Sequence, residues 1–443
     1  MVSQDTPDEA LGGTELYVLR LSKALLARGV DVSWVHYSEG DPALGRHERA
    51  NDPIQYYRIF AGPRLESRED AWRIDPIGLG HFREVLQDMR PDCVHFHGFG
   101  RNQSPEHFEA AKQVGAAVLM TWHAPGQSCV RWDLLHKNRE MCSGKIDVSR
   151  CTDCALHRAG VPAPARAVFA RLDLSPLSRF LPYSAQHPFV RRRGMIDYKR
   201  RWAKGMAVPD KILWHAEWVR DLLLRNGISE DRLHRLPLPP PRAPVESSGN
   251  GHVVSSARRF AYIGRLIDIK GVHIITEALR FLPQGANIDI RIVGARGPEE
   301  YLRGVASVCA KDPRLRLVPP VAFDEIPALM RDVDAVIVPS LWPETGPYTV
   351  LEALWVGTPV IGSDRAGIRE TLKCWEGGVL FQPGNAGQLA RLLVECDLPS
   401  LRRDVARFRT SYESSFNAQL TALFEVVEKG TQPNSSVALR PPC

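Results

Sequence analysis

Short apolar runs alternate with amphipathic stretches along most of the chain. The first half holds a helical pattern after Gly12 and others near 78–89, 106–114 and 217–227, among the strand-like runs VDVSWVHY, DCVHFHGFG, AAVLMTWH and KILWHA. The second half has six candidate strands, at 259–266, 287–294, 315–321, 334–340, 359–364 and 378–383. Strands that alternate with helices of this length predict parallel sheets with helices on both faces.

A stretch rich in proline, serine and glycine, PLPPPRAPVESSGNG at 237–251, separates the two series. We therefore predict two doubly wound α/β domains, at 1–240 and 241–403, with an insertion at 129–157 in the first. A long helical pattern at 404–430 follows the last strand, and we expect it to pack back on the first domain, ahead of a tail at 431–443. Ligands of such sheets bind beyond the carboxyl ends of the strands, so the expected site is the cleft between the halves.

The first strand of the first domain is missing from the pattern. A doubly wound sheet normally begins with a strand that leads into its first glycine loop, but only eleven mostly polar residues precede Gly12. Either this strand lies upstream of the first residue or the sheet lacks a central member. We favour an upstream start.

Composition excludes several classes of protein. Of the 443 residues, 44% are hydrophobic and 24% are charged, which is typical of globular domains and not of disordered or fibrous chains. The net charge of +6 is too small for this length to indicate a nucleic-acid partner. No apolar run reaches the roughly 18 residues of a membrane span, and the first residues lack a signal-peptide pattern, so we expect a cytoplasmic protein.

The strongest chemical signal is LWPETGPYTVLEALWVGTPVI at 341–361. Pro347 suits the first turn of a helix that follows a buried strand, and the helix would present the N–H groups of Tyr348, Thr349 and Val350 to an anion. Glu344 precedes this helix and Glu352 lies within it. One carboxylate could reach a group beside the bound anion, and the other could accept hydrogen bonds from the hydroxyls of a sugar ring. The alternative is a pair of solvated glutamates at an ordinary strand-to-helix turn.

A second signal is YIGRLIDIKG at 262–271. A strand ends at Gly264, and Arg265 and Lys270 follow at the expected crevice. Two cations there would neutralise a diphosphate and stabilise a departing phosphate. The alternative is that exposed basic residues are simply common near strand ends.

Together these segments resemble retaining glycosyltransferases of family 4, which have the two-domain GT-B fold. The matching features are the two glutamates eight positions apart, the GRL-x2-KG segment, the PS before Glu344, the EA-x3-G-x-PVI at the second glutamate, Glu352, and GGTE near the N-terminus. The resemblance covers nearly the whole chain. One departure is Thr345, which stands where the family has a glycine.

The resemblance implies a role for each matching residue. Glu352 would bind the nucleotide ribose and Glu344 the hydroxyls of the donor sugar. Arg265 and Lys270 would hold the diphosphate and stabilise the leaving group. The helix N-terminus at Tyr348 and Thr349 would add its anion-binding N–H groups.

Three further positions also match the family. Gly13 would let the acceptor or a phosphate approach the backbone, and Gly294 lies where the family packs the base. His123 in TWHAPG matches a histidine near the donor sugar, although a histidine after a buried strand is often only part of the core. His95 and His97 alternate along VHFHG, where packing and cleft lining are equally compatible with the pattern.

The resemblance further implies transfer of a hexose from a nucleotide diphosphate sugar to a saccharide or lipid-linked acceptor, with retention and with no metal at the diphosphate. A polysaccharide or glycolipid would be the product. The alternatives are an α-glucan synthase or a nucleotide-sugar epimerase on the same fold, and a catalytically silent partner protein. An epimerase would turn over without an acceptor.

Four of the nine cysteines lie close together, at Cys129, Cys142, Cys151 and Cys154. The C-x-x-C pair with two further thiols is a reasonable tetrahedral set for structural zinc in a segment with few apolar residues. The alternatives are an iron–sulfur cluster, disulfides or free thiols. Four thiolates would leave zinc no open position, so no catalytic role is expected.

The segment RRRGMIDYKRRWAK at 191–204 is strongly basic and carries interleaved apolar residues. It predicts either peripheral contact with the inner, anionic face of the membrane or an ordinary solvated basic face.

Overall fold

Parallel strands form the centre of both halves of the protein. The computed structural model describes residues 1–3, 12–39, 45–47, 53–61, 75–98, 103–123, 125–137, 140–180, 183–241, 257–294, 296–319 and 321–430. The chain divides into one unit of Met1–Pro239 with the chain from Gln419, and a second unit of Pro240–Ala418. Most of the expected linker and the whole expected tail lie outside the described residues.

The first unit contains nine strands and seven helices among its described residues, besides the end of the last helix. The strands are β1 (Ser33–Glu39), β2 (Gly45–His47), β3 (Gln55–Ala61), β4 (Cys93–His97), β5 (Ala117–Thr121), β6 (Leu135–His136), β7 (Glu140–Met141), β8 (Lys211–Trp214) and β9 (Leu233–Arg235). The helices are α1 (Gly13–Leu26), α2 (Pro76–Met89), α3 (Pro105–Gln113), α4 (Val148–Arg158), α5 (Ala163–Phe169), α6 (Tyr183–Ala207) and α7 (Glu217–Arg225).

Residues 1–3 take the central position of the first sheet. The strand orders are β1-β3-β2 on one side and β4-β5-β8-β9 on the other. Val2 forms parallel bridges to Val35 of β1 and Phe96 of β4, and its N–H donates to the His95 carbonyl over 2.9 Å. The interpretation that this sheet lacks a central member is therefore wrong, and so is the favoured one that its first strand is absent from this sequence, since residues 1–3 occupy that position.

Two parts of the first unit were not predicted from the pattern. β3 pairs in parallel with all seven residues of β1. The long helix α6 buries Met195, Tyr198 and Trp202, which are spaced by three and four residues and so lie on one face. Charged residues dominate the rest of α6, and they obscured this narrow apolar stripe.

The second unit contains one sheet of six parallel strands. They are β10 (Arg258–Ile263), β11 (Ile288–Val293), β12 (Leu315–Val318), β13 (Ala335–Val338), β14 (Val360–Ser363) and β15 (Gly378–Phe381). The helices are α8 (Val272–Ala278), α9 (Glu299–Cys309), α10 (Ile326–Arg331), α11 (Tyr348–Trp355), α12 (Ala366–Trp375), α13 (Ala386–Glu395), α14 (Leu398–Val405) and α15 (Phe408–Gly430).

The order of this sheet is β12-β11-β10-β13-β14-β15. The chain moves outward from β10 to β12 and then returns to the other side of β10, so the order reverses between β10 and β13. Such a reversal opens a crevice at the carboxyl ends of the two strands. All six strands coincide with predicted ones, and the α/β fold with parallel sheets is confirmed.

The last helix, α15, belongs to the second unit at its start and to the first unit from Gln419 onward. His234 of β9 lies 3.3 Å from the Gln419 carbonyl, measured from its Nε2 atom. Leu420 and Leu423 line a cavity of about 370 Å³ together with residues of α1 and α2. No helix among the described residues is both long and apolar enough to span a bilayer.

The core of the second sheet gives a direct stability test. Ile290 in β11 is completely buried, whereas Leu317 in β12 is 41% exposed. Ile290→Ala should lower the free energy of unfolding of this unit by about 2–5 kcal/mol, because it removes buried methyl groups and leaves a cavity. Leu317→Ala should change it by less than about 1 kcal/mol. Urea unfolding followed by tryptophan fluorescence measures both, and equal losses would contradict the assigned packing of β11.

Candidate functional site

The segments that follow β10 and β13 lie against each other in the second unit. Leu341 donates its N–H to the Ile269 carbonyl over 2.9 Å. Gly271 has a φ of 76°, and a Cβ there would lie 2.1 Å from the Pro339 carbonyl oxygen. Glycine is therefore required for the two segments to approach this closely.

An ion pair joins these two segments. Lys270 Nζ lies 2.6 Å from Glu344 Oε1, and the two side chains are 24% and 12% exposed. Ser340 donates its hydroxyl to the same carboxylate oxygen over 2.9 Å. Ser363 at the end of β14 in turn donates to the Ser340 carbonyl over 2.6 Å. The structure thus brings Lys270 and Glu344 together and adds two serines for which the sequence analysis assigned no role.

Helix α11 begins beside this pair. Tyr348 is its first residue, and the Thr349 hydroxyl lies 3.5 Å from the Ile263 carbonyl at the end of β10. Val350 donates its N–H to the Pro347 carbonyl over 3.0 Å, so the expectation that this N–H is available to an anion is wrong. Glu352 lies one turn further along the helix and is half-buried. Pro347 is the N-cap of α11, one position before the helix begins, whereas the sequence predicted it within the first turn.

The loop around Thr345, where the chain departs from the family pattern, accepts a hydrogen bond from the start of α12. Thr345 itself is 9% exposed. The Glu344 carbonyl accepts the N–H of Gly367, in the first turn of α12, over 3.1 Å. A Cβ on Gly367 would lie 2.5 Å from that oxygen, so the contact requires glycine. This bond holds the Glu344 backbone without the family's glycine at 345.

Gly294 and Arg265 occupy the same edge of the sheet. Gly294 follows β11, and a Cβ on it would lie 2.0 Å from the Gly264 carbonyl oxygen. Tyr262 donates its hydroxyl to the Arg265 carbonyl over 2.6 Å, while the Arg265 residue is exposed. The edge therefore combines an exposed guanidinium, a paired ammonium and carboxylate, and a helix start, which suits binding of an anionic, hydroxyl-bearing ligand.

A second group of candidate residues lies in the first unit. His97 ends β4, His123 follows β5, and Nδ1 of His97 lies 3.2 Å from Nε2 of His123. The His123 N–H donates to Gln127 Oε1 over 3.1 Å, and Trp202 of α6 donates its indole N–H to the Gln127 carbonyl over 2.9 Å. Gly13 is the exposed first residue of α1. His123 and the unassigned His97 thus belong to one cluster.

The histidines of this cluster are neutral at ordinary pH. Burial, and then the neighbouring imidazoles, hold the pKa of His97 and of His123 well below the usual value. Burial also lowers the pKa of His215, which follows β8, to about 4. Neutral imidazoles can each donate one hydrogen bond and accept another.

The four clustered cysteines line a single cavity of about 30 Å³. Arg131, which is buried, directs Nη1 at Cys154 Sγ over 3.7 Å. The thiols are reduced in the structure. Among the described residues no three or more His, Cys, Asp or Glu side chains form a group that could hold a metal ion as they stand. The expected set is therefore gathered around one cavity, but not in a metal-binding arrangement.

The basic segment 191–204 lies within α6. Its apolar residues Met195, Tyr198 and Trp202 are buried in the core of the first unit. Lys204 pairs with Glu106 over 2.8 Å, and Arg193 pairs with Asp197 over 3.5 Å. Three of the interleaved apolar side chains are thus not available to a membrane.

Two family models match the chain in separate regions. Residues 11–169 match the model described as Glycosyltransferase Family 4, and residues 252–396 match Glycosyl transferases group 1. Between them the matches cover more than half of the chain. They include Gly13 and His123 in the first region and Arg265, Lys270 and Glu344 in the second.

Individual proteins resemble the chain more distantly. It is 26% identical over 268 residues to the putative colanic acid biosynthesis glycosyltransferase WcaL of Escherichia coli, covering 57% of this chain and 61% of that protein. The chain therefore spans about three fifths of the length of this curated relative.

Solved structures share the fold over almost the full length. Sucrose-phosphate synthase from Thermosynechococcus elongatus has a TM-score of 0.65 at 18% identity and covers 97% of this chain and 98% of its own. Anabaena HepE in complex with UDP-glucose has a TM-score of 0.58 at 15% identity and covers 98% of each chain. These likenesses concern the fold, and together with the two family matches they place the chain in family 4 of the GT-B glycosyltransferases.

Proposed function

We propose that the protein transfers a hexose from a nucleotide diphosphate sugar to a saccharide or lipid-linked acceptor, with retention of configuration. A surface polysaccharide or a glycolipid would be the product. The observation that carries this proposal is the Lys270–Glu344 pair beside the start of α11, at the reversal of the sheet order. Support comes from the family, from a relative named for colanic acid biosynthesis and from a neighbour that binds UDP-glucose.

In this proposal the diphosphate lies between the β10 loop and the first turn of α11. Arg265, which is exposed, and Lys270 would contact its oxygens, and the N–H groups at Tyr348 and Thr349 would add a favourable dipole. Glu352 would accept hydroxyl hydrogen bonds from the ribose, with the base near Gly294. Membrane contact through 191–204 forms no part of this proposal, because most of the apolar residues of that segment are in the core.

The chemistry would use the charges already present at the site. As the bond from the sugar to the phosphate breaks, negative charge grows on the leaving oxygen, and Arg265 and Lys270 would stabilise it. Glu344 would hold the sugar hydroxyls and, through its ion pair, keep Lys270 pointing at the diphosphate. The leaving phosphate would take the proton of the acceptor hydroxyl on the same face of the sugar, which gives retention without a separate base.

Removing the lysine charge should weaken nucleotide binding. Lys270→Met should raise the Kd for the preferred nucleoside diphosphate by about 10- to 100-fold, the effect of losing one charge-assisted bond and leaving the Glu344 carboxylate without the lysine charge. Titration calorimetry on a panel of nucleoside diphosphates measures this.

The control for that experiment is Lys311→Met, an exposed lysine just after α9. It should leave the Kd unchanged. The double variant Lys270→Met with Glu344→Gln should recover part of the affinity, because the repulsion by the carboxylate is gone. Wild-type affinity in Lys270→Met alone would place the diphosphate elsewhere.

Neutralising the carboxylate should separate catalysis from nucleotide binding. Glu344→Gln should lower kcat/KM for the nucleotide sugar by about 100-fold, the cost of a charged hydrogen bond to the sugar, and should change the Kd for the nucleoside diphosphate only a few-fold. Glu299→Gln, whose side chain is 82% exposed, is the matched control and should retain full activity. Unchanged turnover in Glu344→Gln would show that this carboxylate is not at the reaction centre.

We further propose that the four cysteines hold structural zinc. The supporting observation is that Cys129, Cys142 and the two cysteines of α4 line one cavity of about 30 Å³, although they do so without forming a metal-binding arrangement. Rotation of the Cys side chains would be needed to bring the four sulfurs to the spacing of a tetrahedral site. The metal would add folding energy to a segment whose regular structure, among the described residues, is α4 and the two-residue strands β6 and β7.

Metal analysis tests the zinc proposal. Purified protein should contain about one zinc per chain, and Cys151→Ser should lose most of it and lower the melting temperature. Cys309→Ser, a cysteine of α9 outside the cluster, should keep the zinc. A wild-type content below about half an equivalent after expression with zinc would contradict the proposal.

A further inference from the structure

Three histidines, His97, His123 and His215, pack around Tyr17 at the carboxyl ends of three neighbouring strands in the first unit. A fourth, His95, packs against His97 with 4.1 Å between the ring centroids. The ring of Tyr17 lies 4.7 Å from that of His123 and 4.8 Å from that of His215, measured between centroids. His123 and His215 are 5.5 Å apart. These two rings are half-buried, whereas His95 and His97 are 5% and 4% exposed. His123 and His215 are therefore the members nearest the surface.

The partners of His97 determine which of its nitrogens carries hydrogen. Its Nε2 lies 3.2 Å from the sulfur of Met1, which can only accept a hydrogen bond. Nε2 of His97 therefore carries the hydrogen, and its Nδ1 accepts from Nε2–H of His123. It follows that Nδ1 of His123 carries a lone pair.

The same reasoning fixes His215. Its Nδ1 lies 2.6 Å from the Leu236 carbonyl oxygen, which also can only accept. Nδ1 therefore carries the hydrogen, and Nε2 carries a lone pair. This Nε2 is buried and has no hydrogen-bond partner among the described residues. A buried acceptor without a donor is costly, so this nitrogen is available to accept a hydrogen bond from a ligand.

The chemistry of the cluster selects the class of ligand. Both nitrogens of His97 are already engaged, and the described residues contain no group that could hold a metal ion as it stands, so a metal is disfavoured. Neutral imidazoles with lone pairs do not attract anions. What they accept is the hydrogen of a neutral donor, and the buried Nε2 of His215 suits the hydroxyl of a ligand.

We propose that His215 receives a sugar hydroxyl beside His123, and that His97 is a positioning residue that fixes the tautomer of His123. The identification of the ligand as a saccharide rests on the proposed glycosyl transfer. The hydroxyl could come from the sugar of the donor or from the acceptor, and the two sources are separated by experiment. His215 does not act as a general base here, because its proposed role is to bind the sugar hydroxyl.

Nuclear magnetic resonance of protein labelled with ¹⁵N-histidine tests the proposal on the wild-type chain. His215 should show the tautomer with hydrogen on Nδ1, and His123 the opposite one. The Nε2 resonance of His215 should move when UDP-glucose or GDP-mannose binds if the donor supplies the hydroxyl. It should move with free glucose, mannose, galactose or N-acetylglucosamine if the acceptor does. UDP or GDP alone should leave it in place.

Two outcomes would overturn the inference. One is a His215 with hydrogen on Nε2. The other is a resonance that no saccharide moves although calorimetry shows the nucleotide sugar bound, which would leave only water at this nitrogen. Failure of the proposed function itself looks different, because then no nucleotide or nucleotide sugar would bind at all, whatever the free sugars do at His215.

A variant adds a kinetic readout. His215→Phe keeps a ring against Tyr17 but removes the acceptor nitrogen, and it should lower kcat/KM for sugar transfer by about 10-fold while the Kd for the nucleoside diphosphate stays within about 2-fold. His97→Phe should shift the tautomer signature of His123 in the same spectra. His81→Phe, in α2 of the same unit, is the control and should change neither. Wild-type kinetics in His215→Phe would contradict the role of His215.

Discussion

Parallel strands bring the segments that follow them to one edge of the sheet, and the rest of the candidate site depends on this constraint. β10 and β13 lie side by side in the sheet. In the sequence, 71 residues lie between Ile263, the last residue of β10, and Ala335, the first residue of β13, and these include two further strands and their helices. Their following loops therefore meet, and Lys270 and Glu344 can pair at 2.6 Å. The two residues are distant in the sequence, and only this pairing of strands brings them together.

Partial burial favours the electrostatic attraction between Lys270 and Glu344. A fully exposed ion pair would be screened by water and contribute little, and a fully buried one would be costly to desolvate. Lys270 and Glu344 lie between these limits, and the Ser340 hydroxyl satisfies the same oxygen that the ammonium contacts. The glycines at 271 and 367 also support the pair, since each allows a carbonyl oxygen to approach where a Cβ would collide. The site is thus held mainly by backbone geometry, with the charges placed on it.

Much of the second unit could be predicted from the sequence. Each of its strands is a short apolar run, and a glycine, proline or serine ends the run or follows it within two residues. All six predicted runs coincide with observed strands. The two candidate glutamates, Arg265 and Lys270 were identified by motif. Ser363 was not, because its hydrogen bond to the Ser340 carbonyl depends on the pairing of β14 with β13 and not on any local pattern. The availability of the Val350 N–H was predicted wrongly, because the capping residue is Pro347 and its carbonyl takes that hydrogen bond.

The first unit was harder to predict for a physical reason. Residues 1–3 are too short to show a strand pattern, yet the bonds of Val2 to both neighbours place them in the middle of the sheet. The buried apolar side chains of α6 among the described residues are Met195, Tyr198, Trp202 and Met206. They stand among many charges, so the pattern suggested a membrane surface or a solvated face instead of a core. The pairing of His123 with His97 and the approach of His215 depend on strand order, which single-residue reasoning cannot supply.

The most direct test of the account is a crystal structure of the protein with its preferred nucleoside diphosphate. We expect the diphosphate against Lys270, Arg265 and the first turn of α11, with the ribose hydroxyls on Glu352. A diphosphate bound away from the carboxyl ends of β10 and β13, with the Lys270–Glu344 pair undisturbed and distant, would contradict it.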